Sequence, residues 1–162
     1  MGIYLNPGNA AFSEAVHSQI YVDKTELISY TNSVLATNQK NICVSRPRRF
    51  GKSITANMLA AYYSKGCQSD TLFKDRKISC SKDYKKIFKQ LTQLYFLNIQ
   101  EFLSRSSNVE ELIQRIRRSL MREIRREYPT IDFYDELDLT ENMKEIYAET
   151  NEPFIIIIDE WD

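Results

Sequence analysis

The chain has 162 residues, the usual size of one domain and enough to bury a core. Its 22 basic and 22 acidic residues cancel, so net charge favours neither a nucleic acid nor an anionic membrane as partner. The first residues lack the basic and apolar regions of a secretory signal, and the longest apolar run, residues 154–158, is too short to span a bilayer. Three widely spaced cysteines fit neither a disulfide framework nor a zinc site. We therefore expect a cytoplasmic chain with reduced thiols and no membrane partner.

The apolar pattern predicts strands that alternate with helices. Short apolar runs predict strands at residues 20–22, 41–45, 94–99 and 154–158. Helical spacing predicts helices at residues 23–35, from 52 to a stop at 65–66, at 109–128, and from about 139 to 150. The isoleucine-rich closing strand is expected to be buried on both faces. This alternation predicts an α/β fold with a parallel sheet flanked by helices.

Residues 43–53, CVSRPRRFGKS, have the order of parts that a phosphate-binding loop needs. An apolar strand and a short loop precede Gly51-Lys52-Ser53, which opens a helix. Backbone N–H groups of such a loop and helix start converge on phosphate oxygens. Gly51 lets the main chain approach closely, Lys52 places an ammonium between the β- and γ-phosphates, and the Ser53 hydroxyl ligates Mg²⁺. The predicted nucleotide-binding residues are Arg48, Arg49, Phe50, Gly51, Lys52, Ser53 and Ile54.

The segment departs from the full Walker A pattern at its first position. Arg46 stands where that pattern has a glycine, and Pro47 removes one backbone donor from the loop. A Gly-Lys-Ser tripeptide by itself is weak evidence. The alternative interpretation is a basic surface turn in which Arg48 and Arg49 are solvated.

A second segment supports the nucleotide interpretation. The apolar run 154–158 ends in Asp159-Glu160, and the carboxyl end of a parallel strand is where α/β sheets bind ligands. We expect Asp159 to hold Mg²⁺ together with Ser53, and Glu160 to orient and deprotonate the attacking water. The alternative is an acidic strand end that only aids solubility. Because both motifs occur in the right order, we predict a Walker A and Walker B pair, with Lys52 and Glu160 as catalytic residues.

Four segments resemble the predicted AAA-ATPase-like family of bacterial and archaeal proteins. They are YVDKT (21–25), SRPRRFGKS (45–53), MLAAYY (58–63) and IIIIDEWD (155–162). The Arg46 departure is a feature of that family. The resemblance implies a P-loop NTPase fold, ATP as the nucleotide and Mg²⁺ as the cofactor. It implies no biological substrate.

The resemblance also bears on domain organisation. Members often carry a PD-(D/E)XK nuclease-like domain after the ATPase domain, so such a domain is an expected partner in the parent chain. In ATPases with Glu beside the Mg²⁺-binding Asp, a later strand lies between the Walker A and Walker B strands. We therefore expect residues 1–162 to be the N-terminal part of one P-loop domain, truncated after the Walker B strand. Residues 1–39 would be a lead-in strand and helices and residues 40–162 a partial core, inactive alone.

Other functions stay open. A P-loop kinase and a nucleotide-gated interaction module that binds ATP without turnover are the alternatives to an ATPase. A Glu directly after the Mg²⁺-binding Asp favours hydrolysis, because a kinase must keep water from being activated. The single histidine, His17, excludes a Ser-His or multi-histidine site within this chain. The oligomeric state is open.

Two further groups of residues have competing interpretations. Asp23 and Lys24 precede the predicted Walker A strand and are candidates to approach the nucleotide, although a helix cap is the simpler interpretation of Asp23. Residues 115–126 carry six arginines and one acid, Glu123. A nucleic-acid face is one interpretation, and a solvated helix face with pairs such as Glu111–Arg115 is the simpler one.

Overall fold

The computed structural model describes residues 2–45, 47, 49–82, 84, 92–135 and 137–161. The α-helices in these ranges are α1 (Ala10–Val16), α2 (Glu26–Val34), α3 (Lys52–Tyr63), α4 (Asp70–Phe73), α5 (Ile99–Leu103), α6 (Val109–Glu127) and α7 (Leu139–Thr150). The strands are β1 (Gln93–Asn98) and β2 (Phe154–Asp159), and Lys77–Cys80 forms a 3₁₀ helix. The chain divides into two compact units. We call Gly8–Thr92 the helical unit, and Met1–Pro7 with Gln93–Asp162 the sheet unit.

The sheet unit contains a parallel strand pair. β1 and β2 run in register from Gln93 opposite Phe154 to Asn98 opposite Asp159. The connection between them carries α5, α6 and α7, as parallel strands require a long crossover. The predicted α/β class and its parallel sheet are thus confirmed within the described residues.

An N-terminal segment, residues 2–7, covers the other edge of β1. Leu5 forms an antiparallel bridge with Tyr95. The N–H of Asn6 donates to the carbonyl of Leu94 at 2.7 Å, and the N–H of Phe96 donates to the carbonyl of Tyr4 at 2.8 Å. These bonds satisfy backbone groups that an open edge would leave unpaired.

Glu123 of α6 fixes this segment. Its side chain accepts hydrogen bonds from the backbone N–H groups of Ile3 at 2.9 Å, Tyr4 at 2.9 Å and Leu5 at 2.8 Å. The residue is only 6% exposed. A buried carboxylate is stabilised by several backbone donors, so this contact holds residues 3–5 against the helix.

The core of the sheet unit lies between the strands and the inner faces of α5, α6 and α7. Its buried members are Tyr4, Leu5, Tyr95, Leu97, Phe102, Leu120, Met121, Ile124, Tyr128 and Ile146.

In the helical unit, buried tyrosines anchor the second half of α3. Tyr62 and Tyr63 pack edge to face with ring centroids 4.8 Å apart. The Tyr63 hydroxyl lies 2.6 Å from the hydroxyl of Thr31 and donates to the side-chain carbonyl of Asn32 at 2.6 Å. These contacts attach α3 to α2. The second half of α3 is thus buried and anchored, while its first turn is accessible to solvent.

The helix predictions are mostly confirmed. α3 begins at the predicted residue 52, α7 has the predicted bounds, and α6 ends one residue before the predicted 128. β1 begins one residue before the predicted 94.

Three strand predictions are wrong. Residues 20–22 and 41–45 form no strand, because a strand needs a neighbouring ladder and none of the described segments pairs with them. Ile42 is 37% and Val44 43% exposed. β2 is not buried on both faces: Ile156 is 53% and Ile158 52% exposed, because within the described residues β2 pairs with β1 alone.

Candidate functional site

Helix α3 begins directly after Gly51, in the segment that the sequence predicts to be a phosphate-binding loop. Gly51 is the N-cap residue with φ of 75° and ψ of 35°, and no side chain caps the helix there. Its carbonyl accepts the backbone N–H of Thr55 at 3.0 Å and the Thr55 hydroxyl at 2.9 Å. This left-handed conformation suits glycine. The first N–H groups of a helix have no partner within it, so an anion suits this position.

The loop before Gly51 turns sharply. The N–H of Phe50 donates to the carbonyl of Pro47 at 3.4 Å, and Arg49 has a left-handed φ of 68°. Phe50 is 61% exposed. Arg48, a predicted site residue, lies outside the described residues, as does Arg46.

The remaining predicted loop residues lie together because they are consecutive. Lys52, Ser53 and Ile54 form the first turn of α3. Lys52 and Ser53 are half-buried, and Ile54 is 43% exposed. The helical unit therefore presents one continuous surface from Arg49 to Ile54.

Lys24 also contacts this loop. Its ammonium donates to the carbonyl of Phe50 at 2.5 Å. A Cβ added to Gly51 would lie 3.1 Å from the Lys24 Nζ atom. From the sequence, Lys24 was only a candidate to approach the nucleotide, because it lies in the YVDKT segment before the predicted Walker A strand.

Asp23 has a different role from the helix cap that the sequence suggested. Its two carboxylate oxygens accept the backbone N–H groups of Thr25 and Lys77, each at 2.9 Å. The N-cap of α2 is Thr25, and no side chain caps that helix. Partial burial raises the pKa of the Asp23 carboxyl, but the donors from Lys77 and Thr25 and the charge of Arg76 outweigh it and hold the pKa below its usual value.

The acidic strand end belongs to the sheet unit. Asp159 is the last residue of β2 and is 6% exposed. Its side chain has no hydrogen-bond or ion-pair partner among the described residues. The next residue, Glu160, is exposed and has a left-handed φ of 55°. The Asp159 oxygens are not among the fully buried unpartnered side-chain atoms of the described residues, so a cation can reach them from solvent.

Backbone conformation marks both segments independently. Non-glycine residues with positive φ in the described chain are Asn6, Arg49, Asn151 and Glu160. Asparagine tolerates this region, whereas Arg and Glu seldom adopt it. Such strain costs about 1–3 kcal/mol and concentrates at functional sites. Both strained residues that are not asparagine, Arg49 and Glu160, lie in the two predicted motifs.

The donor set fits Mg²⁺ better than a zinc-like ion. No group of three or more His, Cys, Asp or Glu side chains in the described ranges could hold a metal ion. Mg²⁺ commonly takes one or two carboxylates and completes its octahedron with waters and substrate phosphates. Asp159 alone would provide the carboxylate that a Mg²⁺ site of this kind needs.

A family model described as a predicted AAA-ATPase (AAA-ATPase_like) matches residues 8–162. The chain belongs to this family. No curated protein and no solved structure matches the chain. Membership of the AAA-ATPase-like family suggests a nucleotide-binding ATPase domain.

Helix α6 of this AAA-ATPase-like chain has a basic exposed face. On α6, Arg115 pairs with Glu111 at 2.6 Å, as the helical spacing predicted. The acid within the arginine-rich stretch, Glu123, is buried against the N-terminal segment, so the exposed face from Arg115 to Arg126 is basic.

Across the described residues, no helix has the length and apolar character to cross a bilayer.

Proposed function

We propose that this chain is the ATP-binding domain of a Mg²⁺-dependent P-loop ATPase that hydrolyses ATP in the full-length protein. The observation that carries the proposal is the start of α3. A left-handed Gly51 precedes Lys52 and Ser53, and no side chain caps the helix. A helix start of this kind, followed by Lys and Ser, matches the chemistry of a triphosphate cradle.

In this proposal the loop binds and orients the phosphates. Backbone N–H groups around Gly51 contact the phosphate oxygens, and the ammonium of Lys52 compensates charge that develops on the β- and γ-phosphates. The hydroxyl of Ser53 is a ligand for the cation. Arg48, Arg49, Phe50 and Ile54 complete the predicted binding surface.

The end of β2 supplies the acidic groups. Asp159 is the proposed carboxylate ligand of Mg²⁺, an assignment supported by its position at the end of β2 and by its lack of a partner among the described residues. Bound Mg²⁺ would neutralise phosphate charge. Glu160 is the proposed general base that accepts a proton from the attacking water.

A nucleotide-gated interaction module that binds ATP without turnover is the second candidate. The exposed β2 side chains of Ile156 and Ile158, with Trp161 at 65% exposed, favour it because they offer an apolar surface for another segment or protein. Binding of ATP is common to both candidates, and turnover separates them.

The test is a titration of the full-length protein with a fluorescent ATP analogue, with and without Mg²⁺. We expect Lys52→Ala to weaken binding strongly, because it removes a charged phosphate contact. Lys40→Ala, which alters an exposed lysine of the same unit, is the matched control. Equal affinity of the parent and Lys52→Ala would refute the P-loop assignment.

A further inference from the structure

We propose that Lys24 is a second phosphate-binding cation of the nucleotide site, acting beside Lys52. This inference rests on the proposed function and extends it to a residue outside the Walker A segment. It assigns a role to the fourth residue of the YVDKT segment.

The position of the ammonium is the first argument. Lys24 Nζ donates to the carbonyl of Phe50, the residue directly before Gly51. It also lies 3.1 Å from the position that a Cβ on Gly51 would occupy. The charge is therefore directly beside the left-handed glycine at which the loop becomes α3.

The unused hydrogen-bonding capacity of this ammonium is the second argument. A lysine ammonium has three protons, and the Phe50 carbonyl takes one of them. In the described part of the chain, that carbonyl is its only protein partner. Lys24 is exposed, so its other protons face solvent and are accessible to phosphate oxygens.

Neighbouring acids do not neutralise this charge. The carboxylate of Asp23 is bonded to the N–H groups of Thr25 and Lys77. The carboxylate of Glu26 pairs with the Lys77 ammonium at 3.3 Å. The positive charge of Lys24 is thus available to an anion at the start of α3.

The residues on either side of Lys24 fix its backbone. Asp23 bonds to the N–H of Lys77, and the fully buried Thr25 accepts the N–H of Ile78 at 3.1 Å through its hydroxyl. Both contacts reach the 3₁₀ helix Lys77–Cys80. The DKT sequence therefore has two anchoring residues around one exposed cation, which reduces the entropy lost when Lys24 orders on a ligand.

The competing interpretation is that Lys24 only holds the loop through the Phe50 carbonyl. Loss of a purely structural contact would lower thermal stability, and the size of that effect would not depend on the charge of the nucleotide. If Lys24 contacts a phosphate, removing its charge should weaken nucleotide binding. It should also make the affinity depend less on salt, because one fewer charge pairs with the ligand.

The experiment compares the parent, Lys24→Met, Lys24→Arg and Lys40→Ala in the full-length protein. Met keeps the length of the side chain without its charge, and Arg keeps the charge. The Kd for Mg²⁺-ATP is measured at several salt concentrations, and the melting temperature is measured without nucleotide. We expect Lys24→Met to weaken binding about 10–100-fold, as the loss of one charge-assisted contact does, with a shallower salt dependence. Lys24→Arg should retain most of the affinity, and Lys40→Ala should match the parent.

The outcomes separate this inference from the proposed function. If Lys52→Ala loses binding while Lys24→Met binds ATP as the parent does, the role of Lys24 is refuted and the P-loop assignment stands. An unchanged salt dependence with a lowered melting temperature would also refute it, in favour of a purely structural contact. If the parent itself fails to bind Mg²⁺-ATP, the proposed function fails and this inference with it.

Discussion

Asp159 lies opposite Asn98 at the last register position of the two parallel strands. The Asn98 side chain caps α5 by accepting the N–H of Glu101 at 3.3 Å. The Asp159 side chain has no protein partner among the described residues, although it is buried. Two neighbouring polar residues at the carboxyl end of the strand pair therefore differ: the fold uses the side chain of Asn98, and that of Asp159 has no partner among the described residues.

Asp159→Asn should weaken Mg²⁺-ATP binding, because a neutral amide is a poorer ligand for Mg²⁺ than a carboxylate. Thermal unfolding with and without Mg²⁺-ATP measures how far the nucleotide stabilises the parent and the variant. Equal stabilisation of the two by Mg²⁺-ATP would contradict the role of Asp159 as a ligand.

Glu160→Gln should keep ATP binding but lower turnover by about 10²–10⁴-fold, the usual contribution of a general base. Glu160→Gly is an informative companion, because glycine relieves the left-handed strain at φ of 55° yet also lacks the base. We expect Glu160→Gly to be inactive as well. A steady-state ATPase rate unchanged by Glu160→Gln would favour the interaction module that binds without turnover.

Gly51→Ala should weaken nucleotide binding, and Gly66→Ala should not. Both glycines have φ of 75°, so the backbone cost of alanine, about 1 kcal/mol, is similar at the two positions. A Cβ at Gly51 would press on the Lys24 ammonium, whereas one at Gly66 meets no atom within 4 Å. Nucleotide titration and thermal unfolding of both variants check this. Equal ATP affinity of the two variants would contradict the assigned role of Gly51.

Glu123→Gln should destabilise the sheet unit by about 2–3 kcal/mol. The neutral amide keeps one carbonyl oxygen and brings an NH₂ group against backbone N–H donors, so bonds to residues 3–5 are lost. Glu110→Gln, at an exposed position of the same helix, is the control. Urea unfolding gives the free energy, and amide hydrogen exchange of residues 3–5 should become faster. Unchanged exchange there would contradict the anchoring role.

Asp23 should contribute to acid sensitivity. Its pKa is lowered in the folded chain, so its stabilising effect is present above the unfolded pKa of about 3.9 and is lost as pH falls through the folded value. The stability difference between the parent and Asp23→Asn should therefore shrink below about pH 4. Unfolding at pH 7 and pH 3 measures it, with the exposed Asp75→Asn as control. A difference independent of pH would contradict this account.

The sequence predicted features that depend on near neighbours. The start of α3 at Lys52 follows from a glycine before a helical pattern, and the bounds of α7 follow from its spacing. Contacts between distant residues were not predictable in this way. Lys24 meets Phe50 across 26 residues, and Glu123 meets Tyr4 across 119. The run at 41–45 has the composition of a strand, but a strand also needs a partner, which composition does not reveal.

The N-terminal segment affects where this domain is best cut. The family match begins at residue 8, whereas residues before it cover the edge of β1 and satisfy Glu123. A protein shortened to that family boundary would expose backbone groups of Leu94 and Phe96 to other chains and remove the three backbone donors of the Glu123 carboxylate. Truncation at Gly8 would thus create an aggregation-prone strand edge. Work on relatives should set domain borders by strand pairing as well as by sequence match.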